Sequence, residues 1–175
     1  NVKGFDSWLQ DFSISTSLDM VNWTTIASET KKTGIFTYNF SKITMRYIKF
    51  DSTYSADNGQ VNVYEIEAYG SEQTQIDAGS NETIETDIIP DPNQPAVANS
   101  ENLALNCPVE TNSNEMNMAD NGKAAVDGNS GTRWSSNRDD LGPDENNPHY
   151  LIVDLKSVVS VSKVRVQIES WDHHL

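Results

Sequence analysis

Residues 124–136 read AAVDGNSGTRWSS, and residues 150–166 read YLIVDLKSVVSVSKVRV. The second stretch is rich in β-branched residues, and near its end Val164, Val166 and Ile168 alternate with Arg165, Gln167 and Glu169. Successive side chains of a pleated chain point to opposite faces, so this alternation predicts strands over Tyr150–Leu155 and Val158–Ser170 with one buried and one solvated face. The first stretch crowds Asp, Gly, Asn, Ser and Thr into a few residues ahead of Trp134. That composition predicts a tight turn leading into a packed aromatic. Asn, Asp, Gly and Ser dominate from Asn112 to Asn147, as in the long loops where β-folds place their sites.

The same strand chemistry recurs toward the amino terminus. Asp11–Ser17, Trp23–Ala27, Gly34–Asn39, Met45–Asp51 and Val61–Tyr69 are short runs of β-branched and aromatic residues separated by polar or Gly-containing breaks. With no helical period among them, they predict an all-β antiparallel sandwich. Trp23 is expected in its core, like Trp134. Residues 71–100 contain no aromatic residue, three prolines and scattered acids; they read as a disordered acidic linker, too poor in apolar surface to offset the entropy of ordering.

Acidic residues outnumber basic ones 26 to 12, for a formal net charge of −14. Phosphate backbones are bound by clustered Lys and Arg that release counterions, so this balance argues against a nucleic-acid partner. Cys107 is the one cysteine; it excludes an internal disulfide and a cysteine-type zinc site, and is expected as a buried, inert thiol. A glycosidase would need two carboxylates about 5–9 Å apart across a cleft, and no pair stands out. No nucleophile elbow or phosphate loop is present. The chain itself reads as non-catalytic. Asn1 is followed by no signal segment, so the sequence is expected to be an internal fragment.

The Asp127 turn, Thr-x-Trp at 132–134 and the Val-Asp-Leu strand at 153–155, preceded by NLALNCPV at 102–109, resemble the amino-terminal half of a coagulation factor 5/8 type C (discoidin-like) domain, closest to family-32 carbohydrate-binding modules. DFSISTSLDMVNWTTIA, RYIKF and VYEIEAYG resemble the carboxy-terminal half of the same family. The resemblance implies a jelly-roll-like, galactose-binding-domain-like sandwich. It divides the chain into residues 1–70, the end of one copy, the linker 71–100, and residues 101–175, the start of the next. Written as 101–175 then 1–70, the pieces make one whole domain. The fragment is therefore expected to complete itself as a circular permutant or as a domain-swapped dimer, and the sequence leaves that choice open.

The function implied is a non-catalytic carbohydrate-binding module of a secreted or cell-surface protein, attached to a glycoside hydrolase and binding a glycan or polysaccharide. The alternative is a discoidin-type adhesion or membrane-surface module. The polar, acidic loops SNRDDLGPDENNP and SADNG disfavour a membrane partner. Asp127, Asn129, Thr132 and the carbonyl of Ala124 offer hard oxygens in one turn, suited to calcium, which takes about six to eight of them. The family implies that Glu65 and the Tyr64 carbonyl complete this structural calcium cage, against the simpler reading of a plain Asx turn. Sugar contacts are expected from Tyr54, Arg138, Glu169, Trp171, His173 and His174. Where galactose-binding relatives carry a His, an aromatic and an Arg, this chain has Ser135, Arg138 and Glu169, so the galactose clamp is not carried over. Glu169 is expected to accept hydrogen bonds from hydroxyls or an amino sugar, and Trp171 to stack on a pyranose ring. Neighbouring His173 and His174 point to opposite faces of a strand and make a poor metal pair.

Overall fold

The computed structural model describes residues 9–72, 101–115 and 121–169. Seven strands form in chain order: β1 Gln10–Ser17, β2 Thr24–Lys32, β3 Ile35–Ser55, β4 Asn62–Glu72, β5 Val109–Thr111, β6 Trp134–Ser135 and β7 His149–Ile168. Every pairing is antiparallel, in the order β2-β1-β3-β7-β4-β6, with β5 also on β7.

Two expected strand pairs are in fact single long strands. Gly34–Asn39 and Met45–Asp51 join as β3, and the two carboxy-terminal runs join as β7. Each bends at its middle: β3 has register shifts between Asn39 and Ile43 and between Met45 and Tyr47, and Lys156 in β7 takes a left-handed φ of 70°. The bend lets the two stretches of each strand serve different halves of the one seven-stranded sheet. Residues 149–154 of β7 pair with Tyr47–Ser52, beside β1, β2 and β5, whereas residues 159–168 pair with the start of β3 and with β4. The corner is tied by Asp154, whose carboxylate takes a two-pronged contact from Arg46 (2.9 and 3.0 Å) and caps the Lys156 amide at 2.9 Å. Arg46, more than burial opposes it, holds the Asp154 carboxyl below its usual range.

The two halves of this one sheet supply a single core. Ile14, Phe50, Leu151 and Val153 come from one side and Ile66, Val164, Val166 and Ile168 from the other, with Trp134 wholly enclosed. This is the all-β sandwich read from the sequence. Each fully buried aliphatic or aromatic side chain contributes about 1.5–3 kcal/mol. β4 runs to Glu72, two residues past the expected linker start, and the rest of that linker lies outside the described residues. An isolated bridge joins Tyr69 to Asn102, and the Leu103 amide donates to the Ala68 carbonyl at 2.8 Å. The chain thus leaves β4 and returns at residue 101 side by side.

Three local expectations are corrected. Residues 102–109, which resemble the family's opening strand, are mostly a turn, stitched by Leu105 N–H to Asn102 O and Cys107 N–H to Ala104 O, and only β5 is strand. Trp23 is not in the core: its indole donates to the Met20 carbonyl at 3.1 Å and Lys49 lies 4.9 Å over its ring. Asp19 creates that turn by accepting from the amides of Val21 and Asn22. Gln167 and Glu169 are buried at 2% exposure, because polar residues of β4 and the loops cover the face expected to meet solvent. Cys107 is buried as expected, and burial pushes its thiol up.

Gly70 marks the closest approach of β4 to β7. A Cβ there would overlap the Ser160 carbonyl and stand 2.8 Å from Val161 Cα, at a register shift in the ladder. Gly70→Ala is expected to lower unfolding free energy by about 1–3 kcal/mol, read by urea denaturation. Val158→Ala, at a residue 39% exposed, should stay within about 0.5 kcal/mol of wild type.

Candidate functional site

Two polar constellations stand at the edges of the sandwich. The first is the turn that follows a single 3-10 turn at Asn121–Ala125. Asp127 accepts from the Asn129 amide at 2.8 Å and from the Thr132 hydroxyl at 2.7 Å, and Asn129 Oδ1 accepts from Gly131 at 3.0 Å. Gly128, at φ 77°, makes the left-handed step that this winding needs. These bonds alone describe an Asx-type turn. What exceeds it is Glu65: only 2% exposed, with neither carboxylate oxygen in a hydrogen bond, and with Asp127 and the Gly128 amide beside it. Burial first, then the Asp127 carboxylate, pushes Glu65 up to about 7.

Buried Glu65 and half-buried Asp127 are neighbouring carboxylates that repel, so the arrangement suits a cation between them. The donor set is hard oxygen throughout, which fits calcium. Among the described residues no three His, Cys, Asp or Glu side chains cluster; two carboxylates with neutral oxygens would have to suffice. Glu65, Asp127, Asn129 and Thr132 are brought together. Ala124 lines the same cleft as Asp127, and Tyr64 falls at the register shift of β4 between Val63 and Glu65.

The second constellation gathers where β1, β4 and β6 meet. Asn62 Oδ1 accepts from Arg133 Nε (3.1 Å) and Ser135 Oγ (2.7 Å), and the Asn62 carbonyl accepts from Gln10 Nε2 (3.2 Å) and the Glu169 amide (3.3 Å). Arg133 also reaches the Tyr64 hydroxyl at 3.3 Å and lies 5.7 Å from its ring centre. Burial works against the Arg133 cation, yet the charge of Glu169, with Tyr64 and Glu115, holds it above its ordinary value. Gln10 Oε1 and Asn62 Nδ2 are buried without a hydrogen-bond partner. Such groups are costly unless something completes them.

Alongside, Gln60 joins two loops: its Nε2 donates to the Ser136 carbonyl at 3.1 Å and its Oε1 accepts from Arg138 Nη2 at 2.6 Å. Ser136 Oγ accepts from the Val61 amide at 2.8 Å. Of the expected sugar contacts, Tyr54 is 40% exposed on β3 and Arg138 is exposed, held by Gln60. Glu169 is buried, and its charge acts on Arg133 and Tyr64. Trp171, His173 and His174 lie outside the described residues. Sequence reasoning missed Gln10, Gln60, Asn62 and Arg133. The alternation of VNVYEIEAY does put Asn62 and Tyr64 on one face, but only register reveals that Arg133 and Ser135 stand opposite them.

Residues 124–174 match the family model described as a NedA-like, galactose-binding domain of the F5/F8 type C kind. The match takes in the Asp127 turn, Trp134, the 137–148 loop and all of β7. No curated protein and no solved structure gives a match. Residues 124–174 are thus similar to a galactose-binding domain of the F5/F8 type C kind, and the all-β fold is consistent with that likeness.

Proposed function

We propose that the chain is a non-catalytic carbohydrate-binding region of a secreted or surface protein, one that holds a glycoside hydrolase elsewhere in its parent chain close to a polysaccharide by raising effective concentration. The family match favours carbohydrate binding. The observation that carries the reading within this molecule is the polar end formed by Gln10, Asn62, Arg133, Gln60 and Arg138, where buried amides keep unused hydrogen-bonding capacity. Residues 1–70 and 101–175 are taken as the second and first halves of the domain. That division is supported by β7, which lies inside the matched segment and is paired on both sides with strands from residues 9–72.

The glycan contacts proposed are Tyr54 and Arg138, with Trp171, His173 and His174 on the adjoining segment. Because the charge of Glu169 acts on Arg133, it supports that guanidinium and no longer favours an amino sugar over a neutral one. On a glycan array, Arg138→Ala and Trp171→Ala are each expected to weaken binding about ten-fold or more, a loss of about 1.4 kcal/mol. Strong galactose binding that is indifferent to both substitutions would overturn this placement.

A structural calcium ion held by Glu65, Asp127, Asn129 and Thr132, with the carbonyls of Ala124 and Tyr64, belongs to the same proposal. The ion would supply positive charge between the two carboxylates; the chain supplies their positions through the β4 bulge and the Gly128 turn. A ligand that binds only the folded state stabilises it by about 2.7 kcal/mol at a hundred times its Kd. Calcium is therefore expected to raise the melting temperature of the wild type and not of Glu65→Gln. Equal melting temperatures with calcium and with chelator would remove the ion from the account.

One observation favours the adhesion or membrane-surface alternative: Leu18 and Val21, 53% and 77% exposed, project from the β1–β2 turn. If that reading holds, the chain sediments with phosphatidylserine vesicles and Val21→Asp abolishes sedimentation; the carbohydrate reading expects no sedimentation.

A further inference from the structure

His149 begins β7, where the 137–148 loop ends, and it is only 1% exposed. Both ring nitrogens are engaged: Nδ1 with Ser136 Oγ at 2.9 Å and Nε2 with the Leu141 carbonyl at 3.2 Å. The partners fix the tautomer. A carbonyl can only accept, so Nε2 carries the proton, and Ser136, already accepting from the Val61 amide, donates its hydroxyl proton to Nδ1. The ring is thus a neutral cross-link from the middle of the loop at Leu141 back to Ser136 beneath it. Ser136 has 0% exposure, so the pair is closed to a substrate and is no nucleophile and base.

Ser136 is also where the Arg138 side chain is anchored. Its carbonyl accepts from Gln60 Nε2, and Gln60 Oε1 in turn holds the Arg138 guanidinium. We propose that His149 is a positioning residue: while neutral it holds the 137–148 loop and Arg138 in binding geometry, and on taking a second proton it releases them, so that acid weakens ligand binding. The binding consequence rests on the carbohydrate reading above; the release of the loop does not.

The chemistry of the closed site opposes the second proton. A protonated Nδ1 meets a hydroxyl that has been donating to it, and Ser136 must turn its own proton elsewhere inside a buried site. Burial, the larger influence, lowers the affinity of the ring for a proton, while Asp140 and Asp144 of the same loop act in the opposite direction. Both carboxylates are engaged elsewhere, Asp140 with Ser113 and Asn137, and Asp144 with the Asn146 and Asn147 amides. β3 presents neutral Ser52 opposite His149. The 56–59 turn, which brings Gly59 against Gly142, carries Asp57.

The sign follows from linkage. With the closed-state pKa below the ordinary value of about 6.5, the closed loop keeps its full stability above that pH. It loses stability as pH falls through about 6.5, and the loss levels off below the closed-state value. Each unit of depression makes opening about ten-fold more frequent at acid pH.

The test is amide hydrogen exchange of the full chain between about pH 7.5 and 5, corrected for intrinsic exchange, with glycan affinity measured in parallel. In wild type, opening at residues 139–147 should rise about ten-fold across the titration of His149, and affinity should fall with it. His149→Gln, whose amide can accept from Ser136 and donate to Leu141 but cannot titrate in this range, should flatten both profiles. Loop exchange indifferent to pH in wild type overturns the proposal, and so does a pH dependence that persists in His149→Gln, which would assign it to another group. If that variant does not fold, the His149 ring resonances of wild type decide the matter. A common midpoint for ring and loop signals upholds the cross-link, and separate midpoints overturn it. Absence of glycan binding at every pH with the loop response intact would count against the carbohydrate reading alone.

Discussion

The structure depends on one strand being shared. β7 is hydrogen-bonded to β3 along nearly its whole length and to β4 along its second half, and the left-handed step at Lys156 lies between its two stretches. Without that corner, Leu151 and Val153 could not face Ile14 and Phe50 in the same core that receives Val164 and Val166. The corner is held by Asp154, which meets Arg46 at the β3 bulge. Arg46 and Asp154 side chains are 39% and 28% exposed, so the pair adds little net stability; its effect is geometric, fixing the turn of two strands against each other.

Much of this was legible because period-2 alternation is a local property. β1 was visible in DFSISTS and β7 in KVRVQI, and the Thr-x-Trp and Val-Asp-Leu motifs pointed to the family that the match to residues 124–174 also indicates. Continuity of β3 and β7 was not legible, because a bulge and a strand break both appear in sequence as polar residues between apolar runs. Trp23 misled for a related reason: an indole can be covered by a lysine and a carbonyl as well as by a core, and only the Asp19 turn decides which. The candidate sites divide the same way. Residues of one turn, Asp127 to Thr132, could be grouped by eye, whereas Arg133 and Asn62 meet through cross-strand register alone.

The two constellations handle polarity in contrasting ways. Around Asn62 and Gln60, amides, hydroxyls and two guanidinium groups share protons, and an unmet amide atom is a modest cost that a hydroxyl-bearing ligand could offset. Around Glu65 the groups are neighbouring carboxylates, one buried and one half-buried, and hydroxyls cannot cancel their charge. With a net charge of −14 over the whole chain, the surrounding field adds to that repulsion.

Chain order matters less to such a fold than the adjacency of its ends. Packing and hydrogen bonding depend on which strands touch, whereas the order of connection enters through loop closure, whose cost rises by only about 0.6 kcal/mol for each doubling of length. Tyr69 is bridged to Asn102, so the end of β4 and the start of the second half lie side by side. A sandwich assembled from a later strand inserted between two earlier ones is then reachable from either order of the halves. Its stability resides in the β3–β7 and β4–β7 ladders, which are the same contacts whether their strands come from one chain or from two.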